Sequence, residues 1–303
     1  MALDAPHVRV VEVGPRDGLQ NERDVIQTSA KVEFIQRLVR SGLKSIETTS
    51  FVRPDRVPQM ADAAEVMRLL GPGNGPDFVV LVPNEKGLQL AMAAGVKHIA
   101  VFTGASESFT RKNINMTIDE SLVRFKRIAD SALSAGISVR GYVSCCFGCP
   151  YEGPVAEESV IRVAETLMEI GCYEVSYGDT IGVGVPTQVE SLCERLVAAF
   201  GPSPIAMHFH DTRGTALANV VKALDVGVRS FDGSAAGLGG CPYAPGASGN
   251  LATEDLLYLL HGMGYETGVS LEAVIEASSY LADVIGRMPP GRVFRAMAPQ
   301  VEK

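Results

Sequence analysis

The sequence of 303 residues lacks the usual marks of a membrane or secreted protein. No apolar run approaches the roughly 18 residues that a membrane-spanning helix needs. The opening MALDAPHVRV has no basic segment followed by an apolar one, as a secretory signal would have, and the closing QVEK is not a lipidation signal. We therefore expect an unprocessed cytoplasmic protein with no membrane partner.

Basic residues are in deficit. The 27 lysines and arginines are outnumbered by 35 aspartates and glutamates, which gives a net charge of −8 at pH 7. Binding to nucleic acid or to an anionic membrane requires a sustained basic surface, so we expect neither as a partner. Any ligand that carries phosphates must be bound by a local basic patch.

The cysteines do not form the pattern of a disulfide framework. There are six of them in a large chain without a signal peptide, so reduced thiols are expected. Cys146 and Cys149 have the spacing of a redox motif, but they follow a strand and do not begin a helix, which favours a structural role.

What the sequence does contain is a regular alternation of strand-like and helix-like segments. Eight apolar, β-rich runs occupy residues 7–13, 44–50, 77–83, 97–103, 137–144, 172–177, 204–210 and 229–235. Helical spacing occurs at 29–40, 60–70, 84–94, 117–135, 154–170, 186–200, 216–226, 251–260 and 271–285. Repeated strand and helix units indicate parallel strands joined by crossovers.

Glycines support this alternation, because helices often end on a residue with left-handed backbone. Gly42, Gly95, Gly136, Gly171 and Gly227 each stand between a helical segment and a strand. We predict an α/β fold, a (β/α)₈ TIM barrel with an appended C-terminal helix. We expect one domain over 1–303, with the barrel at about 7–262 and a helical extension at about 270–303. A doubly wound open sheet is the alternative, and no strand-linked GxGxxG supports it.

Two histidines at the end of the seventh strand suggest a metal site. His208 and His210 are two residues apart on a strand, so their side chains point to the same face and Phe209 to the other. Strand ends carry the active site in barrels of this kind, and Asp17, after the first strand, can supply a carboxylate there. Nitrogen and oxygen ligands together suit Mg²⁺ or Mn²⁺ but do not exclude Zn²⁺ or Co²⁺. The alternatives are a hydrogen-bonded histidine pair and an Arg16–Asp17 salt bridge.

A glycine-rich loop follows the eighth strand at residues 237–250 and carries one thiol, Cys241. Such a loop can approach a ligand closely or close over it, and its thiol can transfer a proton. The alternative is a flexible turn with a buried cysteine. Asn250 stands just before a helical segment, where asparagine is typically an N-cap.

Seven segments resemble those of the 3-hydroxy-3-methylglutaryl-CoA lyases of the DRE-TIM metallolyase superfamily, and together they cover nearly the whole chain. They are GPRDGLQNE at 14–22, SFVRPDRVPQMAD at 50–62, ASESFTRKNIN at 105–115, GYVSCCFGCPYEG at 141–153, GDTIGVG at 178–184, HFHDTRGTALAN at 208–219 and GLGGCPYAPGASGNLATED at 237–255. RDGLQ and HxH also occur in related Claisen-type synthases and aldolases, whereas the cysteine loop ending in SGNLATED is close to diagnostic of the lyases.

The resemblance implies cleavage of (S)-3-hydroxy-3-methylglutaryl-CoA to acetoacetate and acetyl-CoA, in leucine degradation or ketone-body formation. It implies that Mg²⁺ or Mn²⁺ is bound by Asp17, His208, His210 and Asn250, which replaces the cap interpretation of Asn250. The implied catalytic residues are Arg16, Asp17, Glu47, Asp179, His208 and Cys241. The implied substrate-binding residues are Arg16, Gln20 and Thr180. We also expect a homo-oligomer, a dimer.

A retro-Claisen cleavage must deprotonate a tertiary alcohol and stabilise a thioester enolate. Chelation of the hydroxyl by a metal would lower its pKa, and Asp17 or His208 would take its proton. Arg16 would stabilise the enolate oxygen, and Cys241 would protonate the carbanion.

Three positions depart from the lyase pattern: Tyr177 stands where leucine is expected, Phe209 where cysteine is, and Arg213 where tyrosine is. We expect Phe209 to face away from the metal, and Tyr177 and Arg213 to lie near the acyl pocket or the CoA approach. A lyase or a Claisen-type synthase acting on a related 3-hydroxyacyl-CoA is therefore an alternative, although we expect a synthase to carry a further C-terminal domain. An alternative of another class is a catalytically silent barrel that acts as a binding protein.

Overall fold

The computed structural model describes residues 6–71, 75–239 and 249–298, and in it eight parallel strands form a closed barrel in sequence order. The strands are β1 (Arg9–Glu12), β2 (Ser45–Ser50), β3 (Asp77–Leu81), β4 (His98–Gly104), β5 (Ser138–Ser144), β6 (Glu174–Asp179), β7 (Ile205–Phe209) and β8 (Ser230–Gly233). β8 pairs with β1, with Arg9 opposite Ser230, and this pairing closes the barrel. The predicted (β/α)₈ fold is confirmed, and each predicted run overlaps a strand.

Helices surround the barrel and follow the strands. Those in the described ranges are α1 (Thr28–Arg40), α2 (Ala63–Leu70), α3 (Glu85–Ala93), α4 (Glu107–Ile114), α5 (Ile118–Ser134), α6 (Glu157–Glu169), α7 (Pro186–Phe200), α8 (Ala216–Val226), α9 (Thr253–Gly262), α10 (Leu271–Ile285) and α11 (Arg292–Met297). The appended C-terminal helix is α10, as predicted. No helix in these ranges is long and apolar enough to cross a membrane.

One of these helices, α4, was not among the predicted segments, whereas α11 lies within the helical extension expected at about 270–303. α4 is short and polar, so apolar periodicity does not mark it. Its boundaries are set by single residues: the Ser106 side chain accepts a hydrogen bond from the Phe109 amide, and the helix ends at Asn115 in a left-handed conformation. The five glycines that we predicted to end helices all have positive φ, between 71° and 108°.

The lumen of the barrel holds both apolar and charged side chains. Val79, Leu81 and Ala100 on β3 and β4 form a small buried cluster with Tyr142. Arg140 on β5, the register partner of Ala100, is also fully buried. TIM-barrel lumens are usually filled by branched aliphatic side chains, so a buried arginine here must be matched by acceptors.

The acceptors for Arg140 come from three other side chains in the lumen. Its guanidinium is 2.7 Å from Glu174 on β6 and 2.7 Å from Asp232 on β8. It also donates to the Tyr142 hydroxyl at 2.6 Å. Arg9 on β1 pairs with the other oxygen of Glu174, so two cations and two carboxylates balance one another inside the barrel.

Candidate active site

Three potential metal ligands meet where the strands end. Asp17 lies in the π-helical turn Gly14–Gly18 that follows β1. His208 is on β7, and His210 directly follows that strand. One ligand atom from each lies within 4.8 Å of the others, and the two imidazole centroids are 5.3 Å apart. The two histidines thus share a face and converge on Asp17, as strand alternation predicts.

Asn250 lies against the same group. It forms an isolated bridge with His210, and its side-chain nitrogen donates to Oδ2 of Asp17 at 2.7 Å and to the Leu238 carbonyl at 3.0 Å. It does not cap a helix, because α9 begins at Thr253. The early interpretation of Asn250 as an N-cap is therefore wrong.

Two buried acceptor atoms in this group have no hydrogen-bond partner. They are Oδ1 of Asn250 and Nδ1 of His210. Leaving a buried polar atom unpaired costs free energy, so native proteins rarely do so without a reason. A cation bound among Asp17, His208, His210 and Asn250 would remove this cost, and the donor set of two imidazoles and two oxygens fits a divalent ion.

The electrostatics of the group also suit a cation. Burial opposes ionisation of Asp17, but Arg16 and His208 outweigh it and lower the pKa of this carboxyl to about 2. Burial, reinforced by the neighbouring His208, lowers the pKa of His210 to about 3. A carboxylate and a neutral imidazole are the protonation states that metal binding requires.

Arg16 is held rigidly beside these ligands. Its Nη1 donates to Oδ1 of Asp17 at 2.7 Å, while Nε and Nη2 lie 2.8 and 2.7 Å from Oε2 of Glu47. Its guanidinium also lies 5.9 Å from the centre of the Tyr142 ring. The salt bridge offered as an alternative to metal ligation is thus present, and it coexists with the cluster.

Glu47 is fully buried on β2 at an irregularity of the sheet. The register between β2 and β3 shifts between Glu47 and Thr49, and such bulges re-aim side chains next to active sites. Burial raises the pKa of Glu47, although Arg16 opposes this effect. Its Oε1 has no partner, so one acceptor remains free beside the guanidinium.

Asp179 and Thr180 lie at the end of β6 and are engaged with backbone. Asp179 accepts from the amides of Val183 and Gly184, each at 2.9 Å, and burial raises its pKa. Thr180 accepts from the Cys145 amide at 2.8 Å. These contacts hold the segments after β5 and β6 in place, and Asp179 is not part of the cluster of three ligands.

Most of the chain matches a known protein family. Residues 7–281 match the family model described as HMGL-like. The chain belongs to the HMGL-like family. It is 53% identical over 291 residues to hydroxymethylglutaryl-CoA lyase of Pseudomonas mevalonii, which covers 96% of this chain and 97% of that protein.

Solved structures of HMGL-like relatives superpose closely on the barrel. Hydroxymethylglutaryl-CoA lyase from Pseudomonas aeruginosa aligns with a TM-score of 0.94 and 46% identity, over 97% of this chain and 99% of that one. An HMG-CoA lyase from Acinetobacter baumannii, solved with coenzyme A and 3-methylmalate, aligns with a TM-score of 0.93 and 34% identity, over 100% and 99% of the two chains. These likenesses confirm the resemblance to the hydroxymethylglutaryl-CoA lyases.

The glycine-rich loop of this HMGL-like chain is described only at its two ends. Cys241 lies outside the described residues, so its role stays a prediction. The Asn250 amide donates to the Gly239 carbonyl at 3.2 Å, which brings the ends together beside Asp17. Gln20, predicted to bind substrate, is half-buried just after the turn that carries Asp17.

The three positions that depart from the lyase pattern lie in different places. Tyr177 is fully buried in the core outside the lumen, because its neighbour Ser176 faces Asp232 inside. The expectation that Tyr177 stands near the acyl pocket is wrong. Phe209 packs against Phe147 with ring centres 6.3 Å apart, on the face opposite His208, as predicted.

Arg213, the third departure, is exposed in the segment after β7. Its Nη1 donates to the carbonyls of Ile181 and Gly182 at 2.7 and 3.0 Å, so it joins the segments that follow β6 and β7. Its predicted effect on the CoA approach stays a prediction.

Asp232 was not among the predicted site residues. This carboxylate lies in the lumen with Oδ2 at 3.2 Å from Nδ1 of His208. A signal was available, because Asp232, Arg140 and Glu174 are charged residues inside apolar strand runs, where a charge must have a buried partner.

Proposed function

We propose that this HMGL-like chain is a carbon–carbon lyase that cleaves (S)-3-hydroxy-3-methylglutaryl-CoA to acetoacetate and acetyl-CoA. The observation that carries the proposal is the convergence of Asp17, His208 and His210 beside Arg16 at the C-terminal end of the barrel. The relatives named hydroxymethylglutaryl-CoA lyase, one of them solved with coenzyme A, support the substrate.

Asp17, His208, His210 and Asn250 are proposed to hold Mg²⁺ or Mn²⁺. When bound, the ion would supply Lewis acidity, which lowers the pKa of a coordinated hydroxyl and polarises an acyl oxygen. The two unpaired buried atoms of His210 and Asn250 support this ligand set.

Side chains carry out the proton transfer and stabilise the enolate. The proton of the C3 hydroxyl passes to Asp17 or His208, and the electron pair of that O–H bond forms the carbonyl of acetoacetate. The bond between C2 and C3 breaks, and its electron pair moves into the thioester as an enolate. Arg16 is placed to stabilise the enolate oxygen, because Glu47 and Asp17 fix its guanidinium from two sides.

The enolate must then gain a proton at C2. Cys241 is proposed to donate it, with its loop anchored at both ends beside the ligands. Asp179 and Thr180 are proposed to act by shaping the segment after β6, and Gln20 by contacting the substrate. A cytoplasmic location, a homodimer, one domain over residues 1–303 and a place in leucine degradation or ketone-body formation belong to the same proposal.

The decisive experiment follows acetoacetate and acetyl-CoA release from (S)-3-hydroxy-3-methylglutaryl-CoA. We expect equal amounts of both products, loss of activity in EDTA and recovery with Mg²⁺ or Mn²⁺. Other 3-hydroxyacyl-CoA thioesters tested in parallel address the alternative substrates. If no thioester is cleaved in the presence of metal, the proposal fails and a binding role is favoured.

A further inference from the structure

Asp232 connects the proposed metal ligands with the charges inside the barrel. It lies on β8 and is 2% exposed. Its Oδ2 lies 3.2 Å from Nδ1 of His208 and accepts a hydrogen bond from the Ser176 hydroxyl at 2.8 Å. Its Oδ1 accepts from Nη2 of Arg140 at 2.7 Å. Neither oxygen is therefore free to turn elsewhere.

The ion pair with Arg140 settles the direction of the bond to His208. A carboxylate paired with a guanidinium is ionised and can only accept hydrogen bonds. Nδ1 of His208 must therefore carry the ring proton. In the neutral imidazole the lone pair is then on Nε2, the nitrogen that remains available to a metal. A His208 bound through Nε2 has no lone pair left for the C3 hydroxyl proton, so of the two bases named above this geometry favours Asp17.

We propose that Asp232 is a positioning residue that fixes His208 in the Nδ1–H tautomer and orients its Nε2 toward the metal. The inference rests on the proposed function, because it takes His208 to be a ligand. Outer carboxylates of this kind set the tautomer and ring orientation of ligating histidines in many metal sites.

Arg140 keeps Asp232 in this orientation. Its guanidinium is held on its other side by Glu174 at 2.7 Å and by the Tyr142 hydroxyl at 2.6 Å. Because Arg140 is fully buried and engaged on every side, its Nη2 is a fixed donor. The oxygen of residue 232 that faces Nη2 must remain an acceptor.

This geometry makes Asp232→Asn informative. An asparagine would place its carbonyl oxygen against Nη2 of Arg140, since the opposite orientation sets N–H against N–H across this contact of 2.7 Å. Nη1 lies farther from the second oxygen of Asp232, at 3.4 Å. The amino group of the asparagine would then face Nδ1 of His208 and donate to it. The ring proton would move to Nε2, and His208 would lose the lone pair that the metal needs.

The tautomer can be observed directly in metal-free protein labelled with ¹⁵N-histidine, by ¹H–¹⁵N correlation at alkaline pH. The His208 signals are assigned by their absence in His208→Gln. We expect the Nδ1–H tautomer in the wild type and the Nε2–H tautomer in Asp232→Asn. Titration with Mn²⁺, followed by electron paramagnetic resonance, should show about 10- to 100-fold weaker binding in Asp232→Asn.

Glu174→Gln is the matched control, because it removes the other carboxylate of Arg140 without touching His208. It should keep the Nδ1–H tautomer and an Mn²⁺ affinity close to that of the wild type. An Nε2–H tautomer in the wild type would overturn the proposal even if Asp232→Asn failed to fold. Unchanged Mn²⁺ affinity in a folded Asp232→Asn would also overturn it. Lack of thioester cleavage by the wild type, with these results intact, would overturn the proposed function alone.

Discussion

Arg16 contacts both a buried carboxylate and a candidate metal ligand. A substitution there changes packing and chemistry together, since Glu47 has no other cation within hydrogen-bonding distance in the described structure. The effects on stability and on chemistry can be separated. Glu47 is the buried carboxylate that pairs with Arg16, whereas Asp17 belongs to the candidate metal cluster.

Arg16→Gln should lower turnover by about 10²- to 10³-fold, as loss of an oxyanion-stabilising donor does. It should also lower the free energy of unfolding by about 3 kcal/mol, because a buried carboxylate loses its partner. Urea denaturation and steady-state kinetics measure the two losses. Arg16→Gln combined with Glu47→Gln should regain stability but not turnover, and near-normal turnover in either variant would contradict the catalytic role.

Some residues of the site could be predicted from the sequence, and others could not. His208, His210 and Asp17 were predicted from strand alternation and from the meeting of strand ends, both of which are local rules with a fixed geometry. Asp232 was not, because its function depends on which strands face one another across a closed lumen. That information is tertiary, and the residue itself shows only a charge in an apolar run.

The turn between α1 and β2 requires a glycine at position 42. Gly42 has φ of 100°, and a Cβ there would lie 2.3 Å from the Gly268 carbonyl oxygen. Gly95 makes the corresponding turn between α3 and β4 with φ of 76°, and a Cβ there would meet no atom within 4 Å. Both positions therefore have left-handed backbone, but only at Gly42 would a Cβ meet neighbouring atoms.

Gly42→Ala should therefore destabilise the protein more than Gly95→Ala. Left-handed backbone costs an alanine about 1 kcal/mol at both sites, and at Gly42 the clash with backbone adds to it. Thermal and urea unfolding of the two variants give the comparison. Equal losses would show that the segment around Gly268 moves away freely.

Two buried carboxyls join the elements at the end of β8. Glu254 on α9 accepts from the Ala236 amide at 2.9 and 3.0 Å and is hydrogen-bonded to Ser278 on α10. Glu12 accepts from the Ala235 amide at 2.8 Å and from the Thr253 hydroxyl at 2.6 Å. Together they fix the turn that leads into the glycine-rich loop.

Glu254 should make stability depend on pH. Burial raises its pKa from 4.5 to about 8, despite hydrogen bonds that act in the other direction. Between these values the folded protein holds a proton that the unfolded chain has released, so the free energy of unfolding falls as the pH rises. Urea unfolding across this range should show a smaller fall in Glu254→Gln, which mimics the protonated form.

The control for this pH series is Glu276→Gln, at an exposed position of α10. It should follow the wild-type pH dependence. An identical pH dependence in Glu254→Gln and in the wild type would show that Glu254 does not hold the extra proton.

Over the whole molecule, the proposed ligands tie the two ends of the barrel sequence together. Asp17 follows the first strand, whereas His208, His210 and Asn250 come from the seventh strand and the segment after the eighth. A ligand that binds the folded state alone stabilises it according to its concentration. Metal binding should therefore be visible as global stability.

Mn²⁺ should raise the melting temperature, and EDTA should reverse the rise. At a concentration of about one hundred times Kd the expected gain is about 2.7 kcal/mol. Calorimetry of the metal-free protein with and without Mn²⁺ measures it. His210→Ala should abolish the rise, whereas His7→Ala, at an exposed position, should retain it. The same rise in both variants would place the ion elsewhere.

The barrel itself was accessible from sequence, because strand and helix periodicity and helix-ending glycines repeat along the chain and agree with one another. The charged side chains that fill its lumen could not be predicted in this way. Charged residues at Arg9, Arg140, Glu174 and Asp232 satisfy one another only after the sheet has closed, and no window of the sequence contains all four.

The balanced charges of the lumen have an evolutionary consequence. Replacing Arg140 alone leaves the buried Asp232 without its arginine partner, at a cost of about 3 to 5 kcal/mol out of a total stability of about 5 to 15. An apolar lumen of equal stability is therefore separated from this one by less stable intermediates. Point mutation cannot readily cross that gap, so these side chains should be inherited as a set or exchanged together in descendants of this sequence.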